Sequence, residues 1–360
     1  MNIFEATRLF EGWLGAQTTL VPSELKRKHE KMAKTPFHFL RGTFYRWAQL
    51  WPAVCGDVAD APRVLAVGDL HVASFGTWRD AFGRLIWGID DFDEAWPLPY
   101  TNDLVRLAAG ASLAADAEHL DLSLKRASDI ILDAYEQQLS GGGRPFVLEE
   151  DHAHLRAIAL SDLRAPQPFW DELDQSRSVA AAGVPAPVQR AFRQRLSHCG
   201  GYRIVRRTAG IGSLGHQRFV ALANWRGGRL AYEAKATRLS AVVWAQSPKG
   251  RIRIRSMDAL SHAVRAADPF VALEGRWFLH RLAPDIAPVD IEHLPEKRDD
   301  EALLCAMAQE TANAHGGGQN RRRVLRDLHR RRGRWLHDAA RAASRAVQRD
   351  WKEWRKEARR

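Results

Sequence analysis

The chain has 360 residues, of which 45% are hydrophobic and 13 are tryptophans, so it exceeds one average domain and can bury a sizeable core. Its formal net charge of +11 indicates affinity for polyanions, without choosing between nucleic acid, a membrane surface and phosphorylated small molecules. No run of about 18 apolar residues is present, so we expect a cytoplasmic protein with no membrane partner. The three cysteines lack metal-ligand spacing and are expected to be reduced, buried thiols.

Two short apolar runs, each typical of a buried strand, end in acidic residues. Arg63–Gly68 leads into Asp69-Leu-His71, and Arg84–Ile89 leads into Asp90-Asp-Phe-Asp-Glu94. Phosphoryl transfer requires one carboxylate to orient or accept the proton of the nucleophile and another to hold the magnesium ion that bridges the nucleotide phosphates. Both are supplied at these strand ends, which makes them the most specific feature of the sequence.

Helices are predicted between this acidic cluster and residue 195. The first has Asn102 or Asp103 as its N-cap candidate, because an apolar stripe at helical spacing follows these residues. The second is stopped by Gly141–Gly143.

From Gly200 the pattern changes to strands. Tyr202–Arg207, His216–Ala223 and Arg229–Ala236 are predicted to form a three-stranded antiparallel meander. A helix near Met257–Ala267 and an apolar strand at Trp277–Leu282 follow, and helices resume from residue 301.

The first turn of the meander contains the glycine pattern Gly210-x-Gly212-x-x-Gly215. Both dinucleotide-binding folds and kinase phosphate loops use this pattern. A dinucleotide fingerprint opens a helix, whereas here the chain turns back as a hairpin, which favours the kinase-type loop. We therefore expect Gly210, Gly212, Ser213 and Gly215 to lie over the phosphates of ATP, where glycine lets backbone N–H groups approach. An ordinary glycine-rich hairpin turn is the alternative.

Lys235 lies on the third strand of the meander, 20 residues after Gly215. Kinase folds place their phosphate-binding lysine on this strand. We therefore expect Lys235 to face a cleft and contact the ATP phosphates, with Arg41 as a further candidate contact.

Gly68-Asp-Leu-His-Val-Ala-Ser74 and Ile89-Asp-Asp-Phe-Asp-Glu94 resemble the Gly-Asp-x-His-x-x-Asn and Asn-Asp-Phe-Asp-Glu motifs of the bacterial domain-of-unknown-function-2252 family. That family is grouped with protein-kinase-like folds, and the motifs are also similar to those of aminoglycoside phosphotransferases. The resemblance covers most of the chain, including these further segments: Lys31-Met32, Phe39-Leu-Arg-Gly42, the Gly210 loop, Lys235 and Ala312-Asn-Ala-His315.

The resemblance implies a role for each matching residue. Asp69 would be the catalytic base, in a catalytic loop that includes His71. Asp91 would be the main magnesium-binding carboxylate, with Asp93 and Ser74 as further candidate ligands, and Asp103 would brace the catalytic loop.

The order of these motifs differs from that of ordinary kinases, in which the glycine loop and the lysine precede the catalytic aspartate. Here Asp69 comes first, and a circular permutation explains the order if Glu301–His315 is the helix that ordinarily precedes the catalytic loop. The predicted fold is therefore α+β, two-lobed, protein-kinase-like and circularly permuted, with an antiparallel β-meander nucleotide lobe and a mainly helical lobe.

Four parts are predicted along the chain. Residues 1–60 form a basic helical segment, residues 61–199 the catalytic part of the helical lobe, and residues 200–285 the nucleotide-binding lobe. Residues 286–360 complete the helical lobe and end in a basic helix whose apolar stripe packs against the body.

Three departures from the family pattern leave the activity open. Ser74 replaces a magnesium-binding asparagine, Glu233 stands where a small residue usually faces adenine, and no clear glutamate follows to pair with Lys235, for which Asp258 and Glu233 are the nearest candidates. The predicted function is an ATP- and magnesium-dependent phosphotransferase acting on an unidentified small-molecule or protein acceptor. The alternatives are a nucleotide-binding pseudokinase or partner-binding module, a nucleotidyl (AMP) transferase and, less favoured, a nucleic-acid-binding protein.

Overall fold

The computed structural model describes residues 1–117, 120–149, 152–161, 166–286, 299–318, 320–331 and 333–357. The helices are α1 (Ile3–Gly15), α2 (Pro22–Met32), α3 (Pro36–Gly42), α4 (Phe44–Val54), α5 (Gly56–Ala59), α6 (Tyr100–Ala115), α7 (Leu124–Gly141), α8 (Ala153–Ser161), α9 (Pro166–Gln175), α10 (Ala186–Arg195), α11 (Ala241–Gln246), α12 (Ser256–His262), α13 (Asp300–Gly316), α14 (Arg321–Arg330) and α15 (Trp335–Glu357). The strands are β1 (Arg63–Ala66), β2 (Phe75–Arg79), β3 (Leu85–Ile89), β4 (Trp96–Pro99), β5 (Phe146–Val147), β6 (Tyr202–Arg206), β7 (Arg218–Trp225), β8 (Gly228–Ala236), β9 (Ala272–Glu274) and β10 (Trp277–Leu282). The described chain is therefore α+β with antiparallel sheets, as predicted.

The largest sheet has five strands in the order β6-β7-β8-β10-β9. It confirms the predicted meander, and β10 matches the predicted strand Trp277–Leu282. β7 begins and ends two residues later than predicted. It extends to Trp225, which pairs with Gly228, so only Arg226 and Gly227 form the turn. Both turn residues have positive φ, 46° and 80°, as a type I′ hairpin turn requires.

Each face of this sheet is covered by one helix, because alternate residues of its strands point to opposite sides. Phe169 and Leu173 of α9 pack with Val205, Val220 and Ala231 on one face. On the other face, residues of α10 pack with neighbouring strand residues: Val188, Ala191 and Phe192 with Ile204, Phe219 and Ala221. The predicted boundary at residue 200 therefore separates α9 and α10 from the sheet on which they pack.

The larger apolar core joins the N-terminal helices, the two small sheets (β1-β4 and β2-β3-β5) and α13 to α15. Helix α6 runs through it with 14 of its 16 residues buried. The N-cap prediction for α6 was wrong, since the helix begins at Tyr100 with Pro99 before it. Asn102 and Asp103 lie in the first turn, fully buried, where their side chains bond to other parts of the chain.

The C-terminal apolar stripe packs against the body as predicted, in the two helices α14 and α15. Trp354 of α15 stacks on Phe4 of α1 with ring centroids 5.3 Å apart, and Asp350 pairs with Arg46 of α4 at 2.7 Å. The arginine-rich C-terminal helix is therefore seated on the N-terminal segment.

Two smaller predictions were only partly correct: the burial of the cysteines and the length of one helix. Cys55 is buried, but Cys199 and Cys305 are partly exposed. The helix predicted near Met257–Ala267 is the shorter α12, which ends at His262. In the described part of the chain, no helix combines the length and apolar character needed to cross a membrane.

Gly68→Ala is expected to destabilise the protein by about 3 kcal/mol or more, because Gly68 has φ of 84° and a Cβ there would lie 2.5 Å from the carbonyl oxygen of Glu94. Gly83→Ala is the matched control, since Gly83 has a similar φ of 78° but no atom within 4 Å of its Cβ position. It should lose only about 1–2 kcal/mol. Urea unfolding measures both variants, and equal losses would show that the contact with Glu94 is unimportant.

Candidate functional site

The aspartate loop (residues 67–74) follows β1 and is held from beneath by α6. The Asp103 carboxylate accepts hydrogen bonds from the backbone N–H groups of Val67 (2.7 Å) and Gly68 (3.1 Å). Nε2 of His315, on α13, lies 3.0 Å from the same carboxylate, and the Tyr135 hydroxyl lies 2.8 Å from its Nδ1. Asp103 therefore braces the loop and ties α13 to it.

One turn further along α6, Arg106 forms an ion pair with Asp69. The guanidinium is fully buried over the rings of Phe44 (5.1 Å) and Trp47 (4.8 Å), and it donates to the carbonyl of Leu40 (2.9 Å). Burial raises the pKa of the Asp69 carboxyl, although Arg106 opposes the change. Asp69 thus has a fixed orientation and the raised basicity that suits a general base.

His71 and Ser74 close the aspartate loop on itself. The Ser74 hydroxyl accepts from the N–H of His71 (3.0 Å), donates to the carbonyl of Asp69 (3.2 Å) and lies 3.0 Å from Nδ1 of His71. Burial, helped by Arg41 and Arg106, lowers the pKa of His71 well below its ordinary value, so the ring is neutral. Both side chains shape the loop, and a role of Ser74 in binding magnesium stays a prediction.

The acidic segment (residues 90–94) follows β3 and meets Lys235 of β8. The Lys235 ammonium lies 2.5 Å from Asp93 and 3.7 Å from Asp91. Burial lowers the pKa of Lys235, but Asp91 and Asp93 outweigh burial, so its pKa is raised and the lysine is charged. Asp91 also raises the pKa of Asp69, so its charge acts on the aspartate loop as well as on Lys235.

Neither of the predicted partners of Lys235, Asp258 and Glu233, contacts it. Asp258 pairs with Arg253 at 2.7 Å. Glu233 is fully buried and bonds to three other side chains: Arg207 (3.1 Å), Arg218 (2.5 Å) and His280 (2.9 Å). Both carboxylates already have cations of their own, which leaves Lys235 to the acidic segment.

Glu94 joins the acidic segment to the chain that follows β8. Its carboxylate pairs with Arg238 and accepts from the N–H of Ala241 (2.6 Å), while its carbonyl accepts from the Ser240 hydroxyl (3.1 Å). The same carbonyl closely approaches Gly68. Glu94 therefore fixes the distance between the aspartate loop and the end of β8.

The glycine loop (residues 210–215) lies against the aspartate loop. A Cβ atom at Gly212 would lie 3.8 Å from Oδ2 of Asp69 and 3.6 Å from the carbonyl oxygen of Arg41. Gly210 has φ of 67°, and its Cβ position is 3.3 Å from the Ser213 hydroxyl. The structure thus brings the predicted loop next to Asp69 without a side chain between Gly212 and the carboxylate.

Helix α2 holds the end of the glycine loop. The Glu24 carboxylate accepts from the N–H of Gly215 (3.2 Å), and the N–H of Val21 donates to the carbonyl of Gly215 (2.9 Å). A Cβ atom at Gly215 would lie 2.5 Å from Cδ2 of Leu25. The N-terminal segment is therefore in direct contact with the site.

Two basic side chains beside the glycine loop are buried and incompletely partnered. Lys28 of α2 is 7% exposed and forms no hydrogen bond or ion pair within the described chain. His216 is 2% exposed, and its Nδ1 has no hydrogen-bond partner among the described residues. Burial lowers the pKa of Lys28 to about 8. Burial also lowers the pKa of His216 far below its ordinary value, and four nearby cations add to the effect: Arg238, Lys28, Lys235 and Arg218.

The carboxylates near Lys235 suit magnesium better than a metal whose ligands must all come from protein side chains. The described residues contain no group of three or more His, Cys, Asp or Glu side chains arranged to hold a metal. Magnesium usually takes one or two carboxylates and completes its shell with phosphates and water. The Asp91 side chain is half exposed, and Lys235 and the N–H of Asp93 lower its pKa against desolvation, so it is ionised. Asp91, alone or with Asp93, therefore fits a magnesium-bound nucleotide.

Several residues at this site were not identified from sequence. Arg106 could have been found, because it lies three positions after Asp103 and so shares a helix face with it. Lys28, His216 and Arg238 come from separate elements, and no spacing in the sequence connects them to Asp69.

Comparison with known proteins gives one similarity. Residues 20–144 match the model of a family described as an uncharacterized protein conserved in bacteria (DUF2252). This segment includes α2, the aspartate loop, the acidic segment and α6, and it excludes the five-stranded sheet. No curated protein and no solved structure matches the chain.

Lys28→Met is expected to stabilise the ligand-free protein at pH 7 by on the order of 3 kcal/mol, because burial lowers the pKa of Lys28 from 10.5 to about 8. The folded protein binds fewer protons than the unfolded chain between those values, so the penalty of the wild-type lysine disappears as the pH rises from 8 to 10.5. Urea unfolding at pH 7 and pH 10 measures the change.

The matched control is Lys26→Met, which removes the same charge from an exposed position of α2 and should change stability by less than about 0.5 kcal/mol. A Lys28→Met variant less stable than wild type at pH 7 would contradict the assignment of Lys28 as an unpaired buried cation.

Proposed function

We propose that the protein is a phosphotransferase with a circularly permuted kinase-like fold, which binds ATP with magnesium and transfers the terminal phosphoryl group to a hydroxyl-bearing acceptor. One observation carries the proposal: the carboxylates of Asp69, Asp91 and Asp93 and the ammonium of Lys235 converge beside a glycine loop. These groups come from two regions of the chain that are far apart in sequence. Their combination is what phosphoryl transfer needs.

Each residue has a defined part in the proposed reaction. Oδ1 of Asp69 is held by Arg106, so Oδ2, beside Gly212, is the oxygen that orients and accepts the acceptor's proton. The acceptor oxygen then forms a bond to the terminal phosphorus as the bond from phosphorus to ADP breaks. Lys235 and the glycine-loop N–H groups hold the nucleotide phosphates, and Asp91 with Asp93 would hold magnesium, which neutralises phosphate charge.

The order of the elements supports the permuted fold. His315 of α13 contacts Asp103 directly, although the two residues are 212 positions apart in sequence. The helix expected to precede the aspartate loop therefore lies beside it. Lys235 lies on β8 of the five-stranded antiparallel sheet, and the glycine loop connects strands β6 and β7 of the same sheet, as in the nucleotide lobe of a kinase.

Two carboxylate variants distinguish the effect of a substitution on phosphoryl transfer from its effect on magnesium-ATP binding. Asp69→Asn should keep the rise in melting temperature that magnesium-ATP produces but reduce transfer by about 10²–10⁴-fold. Asp91→Asn should instead weaken the magnesium dependence of the rise. Its side chain is half exposed, so the substitution should leave the fold intact. Asp57→Asn, at an exposed position of α5, is the control and should change neither.

The same experiment distinguishes the alternatives when ATP labelled at the α or the γ position is incubated with a metabolite and protein extract. Transfer of the γ label supports the proposal, and transfer of the α label indicates AMP transfer. A melting shift with no transfer of either label indicates a nucleotide-binding module without turnover. If magnesium-ATP at millimolar concentration produces no melting shift, the nucleotide site is wrong.

A further inference from the structure

Most of the buried cations around the site form ion pairs with carboxylates, but not all of them do. Four of the cations near Asp69 each have a buried or partly buried carboxylate as partner: Arg106 with Asp69, Lys235 with Asp93, Arg238 with Glu94 and Arg218 with Glu233. Lys28 has no such partner within the described chain, and Nδ1 of His216 has no hydrogen bond there. Burying a basic group without a partner costs free energy unless a ligand supplies the opposite charge.

The position of Lys28 is fixed relative to the glycine loop. Glu24 bonds to the N–H of Gly215, and Lys28 lies four residues later, on the same face of α2. His216 directly follows the loop, and its backbone bridges to Leu20, just before α2. Lys28 and His216 therefore both lie at the end of the glycine loop that α2 covers.

The charges that act on these two groups include several from the candidate site. Lys28 interacts electrostatically with Arg238 and Glu11, and more weakly with Asp69 and Glu94. His216 interacts with Arg238, Lys28, Lys235 and Arg218. In the proposed reaction, the terminal phosphoryl group lies beside Asp69 while it moves from ATP to the acceptor. Its negative oxygens then need more positive charge than Lys235 alone supplies.

We propose that Lys28 and His216 bind the terminal phosphoryl group of the nucleoside triphosphate, so that the N-terminal segment completes the phosphate site. This inference rests on the proposed function. Lys28 donates its ammonium hydrogens to phosphoryl oxygens, and His216 donates from a ring nitrogen. The stability that the unpaired lysine costs in the ligand-free protein is recovered when the phosphoryl group binds.

The test compares ATP with ADP, because the two nucleotides differ only in the terminal phosphoryl group. Calorimetric titration with magnesium-ATP and with magnesium-ADP uses wild type, Lys28→Met and the exposed-lysine control Lys26→Met. Lys28→Met should weaken ATP binding by about 10- to 100-fold and ADP binding by less than about threefold. Lys26→Met should bind both nucleotides like wild type. His216→Gln, a second variant that retains a donor, should weaken ATP selectively and by a smaller factor.

Three results would overturn the inference. An equal loss of ATP and ADP affinity in Lys28→Met would mean that the lysine contacts the part common to both nucleotides or only supports the fold. Unchanged affinity for both would remove it from the site. A third arm titrates inorganic phosphate into the magnesium-ADP complex, and phosphate binding that depends on Lys28 while ATP binding does not would assign the site to a free or acceptor phosphate. Failure of wild type to bind ATP would reject the proposed function itself, whereas these three results leave ATP binding by wild type intact.

Discussion

The buried ion pair between Arg106 and Asp69 is the interaction on which the geometry of the site depends. Arg106 cannot lose its charge under ordinary conditions, and α6 carries it through the centre of the larger core, so it requires an ionised partner there. That partner is Asp69. Arg106 donates a hydrogen bond to Oδ1 of Asp69, and Oδ2 lies beside Gly212. Asp103, one turn earlier, holds the preceding backbone N–H groups. Two side chains of one helix therefore set both the path of the aspartate loop and the direction of its carboxylate.

Two further buried or partly buried carboxylates near Asp69 are also neutralised by cations. Asp93 and Glu94 lie two strands away from Asp69 in sequence, and each is neutralised by a cation at or just after the end of β8. These two pairs connect the helical core to the five-stranded sheet. A small apolar cluster adds to the connection, in which Ile211 and Leu214 of the glycine loop pack with Met32, Phe39 and Trp354. The charged side chains at this junction are those of the candidate site, so the contacts that join the two parts also position Asp93 and Lys235.

The local elements could be predicted from sequence because local patterns determine them. The meander, the strand Trp277–Leu282 and the packing of the C-terminal stripe follow from residue alternation, turn residues and helical spacing. The convergence of the acidic cluster with Lys235 was predicted from the parts that phosphoryl transfer requires and from resemblance to a family, because no local pattern connects residues this far apart. The N-cap of α6 and the partner of Lys235 were predicted wrongly for one reason. Asp103 and Glu233 are used by partners distant in sequence, and tertiary contacts of this kind override local preferences.

The role of the N-terminal segment shows why such contacts matter for function. From sequence, residues 1–60 were a basic helical addition to the catalytic parts. In the structure, Val21 and Glu24 bond to the backbone of Gly215, and Leu25 occupies the space where a side chain at that position would lie. The glycine loop is therefore held from both sides, by its own sheet and by α2. A displacement of the loop away from Asp69 must either break the two bonds to Gly215 or move α2 with it. Because α2 also carries Lys28, any motion that opens the loop with α2 attached would withdraw a positive charge from the site at the same time. Loop position and charge at the site are thus coupled through a single helix.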